Sequence, residues 1–322
     1  MNDAATSALL ILARALQFGA GMTLVTVAAF RAFILLPAFA GDEARQVLAP
    51  FLRRLGIIFM IALAILLLAG ALLFWAVAAG MSGSSLADAL DRETLATVLF
   101  QTRFGAVACW RAGFALLLIL VLALQLWAPH RAHTLLEIAA GLLAAALFVS
   151  LAWTGHAAAA GGSAQPWNLA ADALHLLAAC VWPAGIFPFA LFLSFAGRDV
   201  MAPHLYAVMK TALRFSAASF GTVLVLAATG SVNALFLVGS IHALVDSIYG
   251  RVLGLKLLLF AGMLLIAAQN RWRLLPSLLA SGQLPAARSV LKRLRGFVLA
   301  ELALAIAVIL VVALLGTLPP PR

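Results

Sequence analysis

An all-α, polytopic membrane bundle of eight transmembrane helices is the fold class this sequence predicts, and three observations predict it. Of 322 residues, 65% are hydrophobic and only 10% are charged, against about a quarter charged in an ordinary soluble domain. The mean hydropathy is +1.12, so the chain has too little polar side-chain surface to cover itself in water. Eight apolar runs, each near the roughly 20 residues that cross a hydrocarbon core of about 30 Å, are separated by Gly, Pro, polar or charged residues. Helices are required, because an open sheet edge leaves backbone groups unsatisfied in lipid.

The runs place spans one to eight at about 7–30, 54–79, 102–127, 135–159, 169–196, 213–238, 250–270 and 296–316. Span one follows Met-Asn-Asp-Ala-Ala-Thr-Ser, which lacks the basic region of a signal peptide, so it is expected to be retained as a span. No polar stretch is long enough for a second soluble domain, and no repeat of about 20–50 residues is evident. The expectation is a single transmembrane domain over residues 1–322.

The net charge of +10 does not indicate nucleic-acid binding, because most Lys and Arg fall in short loops between apolar runs, where they act as topology signals. Arg31, Arg45, Arg53 and Arg54 follow span one, Arg131 follows span three, and Arg198, Lys210 and Arg214 follow span five. Arg271, Arg273, Arg288, Lys292, Arg293 and Arg295 follow span seven. The alternate loops carry Arg92, Arg103 and Arg251 and the acidic Asp88, Asp91 and Glu93. The positive-inside rule therefore puts the first set in the cytoplasm and both termini outside. Trp75, Trp153 and Trp167 then lie near the outer interface, and Trp127 and Trp272 near the inner one.

Ionisable groups inside spans cost about 2.5–3.5 kcal/mol on insertion scales and face the bundle interior. The outer half of the spans holds Arg14, Arg103, Arg111, Asp172, His175 and Lys256, and the inner half holds Glu301. Asp172 and His175 are three residues apart and share a helical face. A carboxylate beside an imidazole fixes its tautomer and raises its basicity, as it does around metals; the competing reading pairs Asp172 with Arg103 or Lys256 as a bundle lock. Arg111 and Glu301 are candidates for a second pair. His156, near the end of span four, and His175, near the start of span five, come to similar depth if the two spans are antiparallel neighbours. His242 falls on the same outer side, whereas His130, His133 and His204 fall in inner loops.

These residues resemble the CopD/PcoD family of copper-resistance membrane proteins. Thr102, Gly105 and Arg111 open span three, and Gly155-His156-Ala157 closes span four. Asp172-Ala-Leu-His175 begins a run ending at Trp182, and Arg214-Phe-Ser216 leads into a span six carrying Thr229-Gly230 and Asn233. Tyr249-Gly250-Arg251 opens span seven, with Lys256 inside it and Asn270-Arg271 at its far end. The resemblance runs from about residue 100 to the end, and rests on the order and spacing of many short motifs. One departure is Trp182-Pro183-Ala184-Gly185, where the family has Gly-Gly or a close variant. Pro183 removes a backbone donor and kinks the helix.

The resemblance implies copper handling at the bacterial inner membrane, with His156 and His175 as the family's matching histidines. His242 is added as a third candidate ligand from its side of the membrane alone. Cys109, Cys180, Met22 and Met81 are soft groups suited to Cu(I), but they form no metal-ligand spacing and read as packing residues. The expected function is non-enzymatic copper transport from the periplasmic side toward the cytoplasm. A separate periplasmic copper-binding protein would deliver the metal, and a homodimer is the default assembly. Two other readings are a haem b redox protein with His156 and His175 as axial ligands, and a copper-docking or chaperone protein that does not transport. One tension stands: Arg14, Arg103, Arg111 and Lys256 against Asp172 leave the outer half net positive. That repels Cu⁺ and suits an anionic group such as a haem propionate.

Overall fold

A computed structural model describes residues 2–39, 41–154, 165–198, 204–238, 240–281, 284–319 and 321. Those residues form helices and short connections, with eight candidate spans: Thr6–Ala38, Glu43–Ser82, Arg103–Gln125, Arg131–Trp153, Pro166–Ala196, Leu205–Leu237, Ile248–Leu279 and Pro285–Leu315. All eight expected spans are present. Spans one, two, six, seven and eight run further than hydropathy indicates, always at the end rich in Arg and Lys. Hydropathy falls where the cations enter, but the helix continues, because its backbone bonds to itself and long cationic side chains reach the interface along their apolar stems.

The two ends of the bundle differ in chemistry. At one, the termini meet: a side chain on Gly316 would come within 2.6 Å of Arg14 Nη1. At the other lie the helical extensions that carry Arg53, Arg54, Lys210, Arg273 and Arg295. They are called the termini face and the basic face below.

Span one is the hub, packing on spans two, four, five and eight. Span five is broken. Its first piece, Gln165–Val181, packs on span six, and its second, Ile186–Ala196, packs on span eight. The break at Trp182–Gly185 follows from Pro183, and Thr26 of span one donates its hydroxyl to the Cys180 carbonyl at 2.7 Å beside it. The second piece is buried on nearly every side. Its Phe189 stacks on Phe215 with ring centroids 4.3 Å apart, and Phe195 stacks on Phe51 at 5.4 Å.

The two halves of the bundle repeat one arrangement. Span one packs on two and four, and three on four; span five packs on six and eight, and seven on eight. The sequence repeats with it. Thr102, Gly105, Arg111 and Trp127 recur at identical spacing as Ser247, Gly250, Lys256 and Trp272, and Ala-Arg14-Ala-Leu-Gln17 recurs as Ala-Asp172-Ala-Leu-His175. Each half places a short helix, Arg92–Gln101 or Ile241–Asp246, before its third span. Thr102 and Ser247 then cap that span by accepting from the N–H of Gly105 and of Gly250, both at 2.9 Å. A glycine is required at both places, since a Cβ would lie 2.1 Å from the Leu99 carbonyl oxygen at Gly105 and 2.2 Å from that of Leu244 at Gly250.

Gly105→Ala and Gly250→Ala are each expected to destabilise the protein by about 2–4 kcal/mol, through a backbone clash that no rotamer relieves. Gly56→Ala, which meets nothing within 4 Å, should be neutral or stabilising by up to about 1 kcal/mol. Thermal unfolding of the three variants in one detergent checks the contrast, and equal melting temperatures would refute the packing described.

Candidate functional site

On span five, Asn168, Asp172 and His175 fall on one face at helical spacing, and His175 and Asp172 meet Thr229 and Asn233 of span six. His175 Nδ1 lies 2.9 Å from the Thr229 hydroxyl oxygen. That hydroxyl donates its own hydrogen to the Val225 carbonyl at 2.7 Å. The network thereby assigns Nδ1–H as the donor to Thr229; His175 also hydrogen-bonds to the Leu226 backbone, and in this tautomer Nε2 carries the ring's lone pair. Gly230 makes room for the ring, since a Cβ there would sit 3.4 Å from His175 Cε1.

One turn away, Asp172 Oδ1 accepts from Asn233 Nδ2 at 3.2 Å. Lys256 of span seven interacts electrostatically with both Asp172 and His175. Neither forms an ion pair with it within 4 Å. The carboxylate therefore does not orient the imidazole, as the i, i+3 spacing alone implies. Thr229 holds the ring, whereas Asp172 is held by Asn233 and lies in the field of Lys256. Two buried amide atoms, Asn168 Nδ2 and Asn233 Oδ1, find no hydrogen-bond partner among the described residues. Orphaned polar atoms on the face that carries His175 fit a polar or metal-bearing occupant. Asn168, 1% exposed, escaped the sequence reading, although its spacing to Asp172 and His175 was the available signal.

The other candidates divide. His156 lies outside the described residues; span four is described to Thr154, and its last turn, Ser150–Thr154, packs against the first piece of span five. His242 stands on the short helix before span seven with its side chain 88% exposed, and its ring pairs with Asp246 one turn on. Arg103 is exposed at the first turn of span three. Arg111 does not meet Glu301. Its Nη2 donates at 3.1 Å to the side-chain oxygen of Gln17, which also accepts from the Gly70 N–H at 3.3 Å in the amide orientation that satisfies both. Glu301, 3% exposed, accepts from Trp182 Nε1 at 2.9 Å and from Asn270 Nδ2 at 3.3 Å. Cys180 and Met22 are core residues, whereas Cys109 and Met81 are exposed. Among the described residues, no three His, Cys, Asp or Glu side chains are grouped to hold a metal ion. Of the three candidate histidines, His175 is the one that lies partly buried within the spans among the described residues.

Residues 1–167 match the family described as copper resistance protein D-like, N-terminal domain, and residues 209–315 match the family described as copper resistance protein D. Copper resistance protein D of Pseudomonas syringae pv. tomato is 33% identical over 180 residues, 56% of this chain and 58% of the relative. Inner membrane protein YebZ of Escherichia coli (strain K12) is 29% identical over 201 residues, 62% of this chain and 65% of the relative. Copper transport protein CutJ of Bacillus subtilis (strain 168) is 29% identical over 191 residues, 59% of this chain and 34% of the relative. The chain therefore spans less than two thirds of the length of each of these relatives. No solved structure matches it significantly. Because the first family match alone covers more than half of the residues, the chain belongs to the copper resistance protein D-like family.

Proposed function

We propose that this protein carries copper across the bacterial inner membrane, taking it up at the termini face and passing it toward the basic face. The observation that carries the reading is His175, a partly buried imidazole inside the bundle whose Nδ1 is committed to Thr229, which puts the ring's lone pair on Nε2. The family match and the printed names of two relatives, a copper resistance protein and a copper transport protein, supply the cargo. Membership of a family that includes a named inner membrane protein, together with eight spans, supplies the location. The orientation rests on the basic helical extensions, which the positive-inside rule assigns to the cytoplasm. His156, on the segment that joins span four to span five, is the proposed second ligand, and a separate periplasmic copper-binding protein is the proposed donor. His242, exposed and held by Asp246, is left out of the ligand set.

Copper measured by mass spectrometry on the purified protein, beside its absorption spectrum, tests the reading. His175→Ala should remove bound Cu(I), and Thr229→Val should weaken binding by about 10-fold or more, because the imidazole loses the group that orients it. Copper unchanged in His175→Ala sinks the site, and a Soret band with stoichiometric iron makes the same imidazole a haem ligand.

Orientation is checked separately, by adding single cysteines to a Cys109→Ser background. A membrane-impermeant thiol reagent should label Ser84→Cys, at the termini face, in intact spheroplasts. It should label Ser281→Cys, at the basic face, only after lysis. The reverse pattern would invert the proposed direction.

A further inference from the structure

The repeat of the two halves provides an internal control for Glu301. In span four, Leu135-Leu-Glu137 stands where span eight has Leu299-Ala-Glu301, and each span packs on the first span of its own half. Glu137 has an ordinary solution to a carboxylate in a span: Arg31 donates to it at 2.5 Å. Glu301 has none. Its partners are the neutral donors Trp182 and Asn270, and no cation lies within 4 Å of it among the described residues.

Glu301, itself buried, lines a cavity of about 370 Å³ formed by spans five, six, seven and eight, together with Trp182, Ser216, Asn270 and Arg271. The exposed Phe220, Leu265 and Trp272 form its rim. The charged and titratable groups around Glu301 are few. Span seven supplies Arg271, whose Nη1 donates to the Ser216 carbonyl at 3.1 Å and hydroxyl at 2.9 Å while the guanidinium lies over Phe220. Span six supplies only the Ser216 and Ser219 hydroxyls, and span five only the Trp182 indole. On span one, Arg31 is held by Glu137 and Arg14 lies against Gly316 at the opposite end. On span eight itself, Lys292, Arg293 and Arg295 are exposed toward the basic face. A second feature points to an occupant: the Asn270 side-chain oxygen is buried with no hydrogen-bond partner among the described residues, beside the carboxyl group that its Nδ2 reaches. Asn270 also opens a π-helical turn, Asn270–Leu274, a distortion frequent at functional sites.

An isolated carboxylate in low dielectric takes up a cation. A hard metal ion wants about six or more oxygen ligands, and this largely apolar cavity cannot supply them. We propose that Glu301 is a proton-binding site, loaded through this cavity from the basic face, and that copper and the proton occupy the second half in exchange. A proton forms an O–H bond with the carboxylate and leaves a neutral acid. When copper arrives, that bond breaks, the proton departs to water, and the carboxylate offsets the cation. The exchange rests on the copper-transport reading; the proton site does not.

Infrared difference spectra of the full-length protein in lipid vesicles test both parts. The expected result is the carbonyl stretch of a protonated carboxylic acid that is lost in Glu301→Gln, displaced in Glu301→Asp, and displaced in Trp182→Phe, which removes one hydrogen-bond donor. Adding Cu(I) should diminish the band in wild type, with release of about one proton per ion bound. Glu301→Gln should bind copper without that release. Absence of the band at every pH where the protein stays folded, or its survival in Glu301→Gln, overturns the proton site. A band unmoved by copper that is demonstrably bound overturns the exchange and leaves the site standing. Protein that shows the band but binds no copper refutes the copper reading and supports the proton site.

Discussion

A polar group inside a bilayer has no water to turn to, so it must find its partner within the bundle. That constraint organises this protein more than any single apolar contact. Lipid gives helices little reason to associate, and the joints that hold these spans together are largely polar. Thr26 takes up the carbonyl beside the break in span five, Gln17 ties span one to Arg111 and Gly70, and Arg31 clamps Glu137. The contact of span five with span six is the clearest case. Asp172 and His175, i and i+3 on one helix, meet Asn233 and Thr229, i+4 and i on the other. The spacing rules of two helices bring four polar side chains together, and a lone pair on His175 is left over.

The break in span five depends on the same constraint. Pro183 interrupts the ladder of backbone bonds, and the interruption is tolerated because Thr26 and the turn itself satisfy the groups it frees. It separates two chemically different stretches of one span. The first piece carries Asn168, Asp172 and His175; the second is a plug of phenylalanine and aliphatic side chains buried by its neighbours. Trp182 stands at the joint and reaches Glu301, so the group that ends the polar piece also holds the one acid of span eight. A broken helix with its polar groups at the joint is a recurring way to place ion sites within a membrane.

Composition and the length of the apolar runs were enough to read eight helices and their order. They were not enough to read where the helices end, because hydropathy reports the hydrocarbon portion, and a helix keeps its backbone bonds beyond it. Asp172 and His175 were legible as a pair from their spacing. Their partners were not, because contact between spans six and five leaves no periodic mark in either. The pairing of Arg111 with Glu301, plausible from depth, failed for a topological reason: each is bound within its own half. The halves themselves escaped notice, since the repeat is nearly half the chain long and its polar positions have changed chemistry, arginine becoming aspartate and glutamine becoming histidine. What marks them is the retained frame of caps, glycines and tryptophans.

That change of chemistry resolves the electrostatic difficulty of a cation site in a basic bundle. Arg14 and Arg111 belong to the first half, where Arg111 holds Gln17, Arg14 lies by Gly316, and neither faces an acid within 4 Å among the described residues. Near His175 the balance is different: Lys256 occupies the position of Arg111, but Asp172 occupies that of Arg14. Asp172 and Lys256 are of opposite sign, so their effects on a cation at His175 oppose each other, whereas the equivalent place in the first half has two cations and an amide. Coulomb repulsion between unit charges at about 4 Å is on the order of 4 kcal/mol at an effective dielectric of 20, so the difference in sign favours a cation in the second half. The first half keeps the frame of caps, glycines and tryptophans, and the second carries both the proposed copper ligand and Glu301, which has no cation within 4 Å among the described residues.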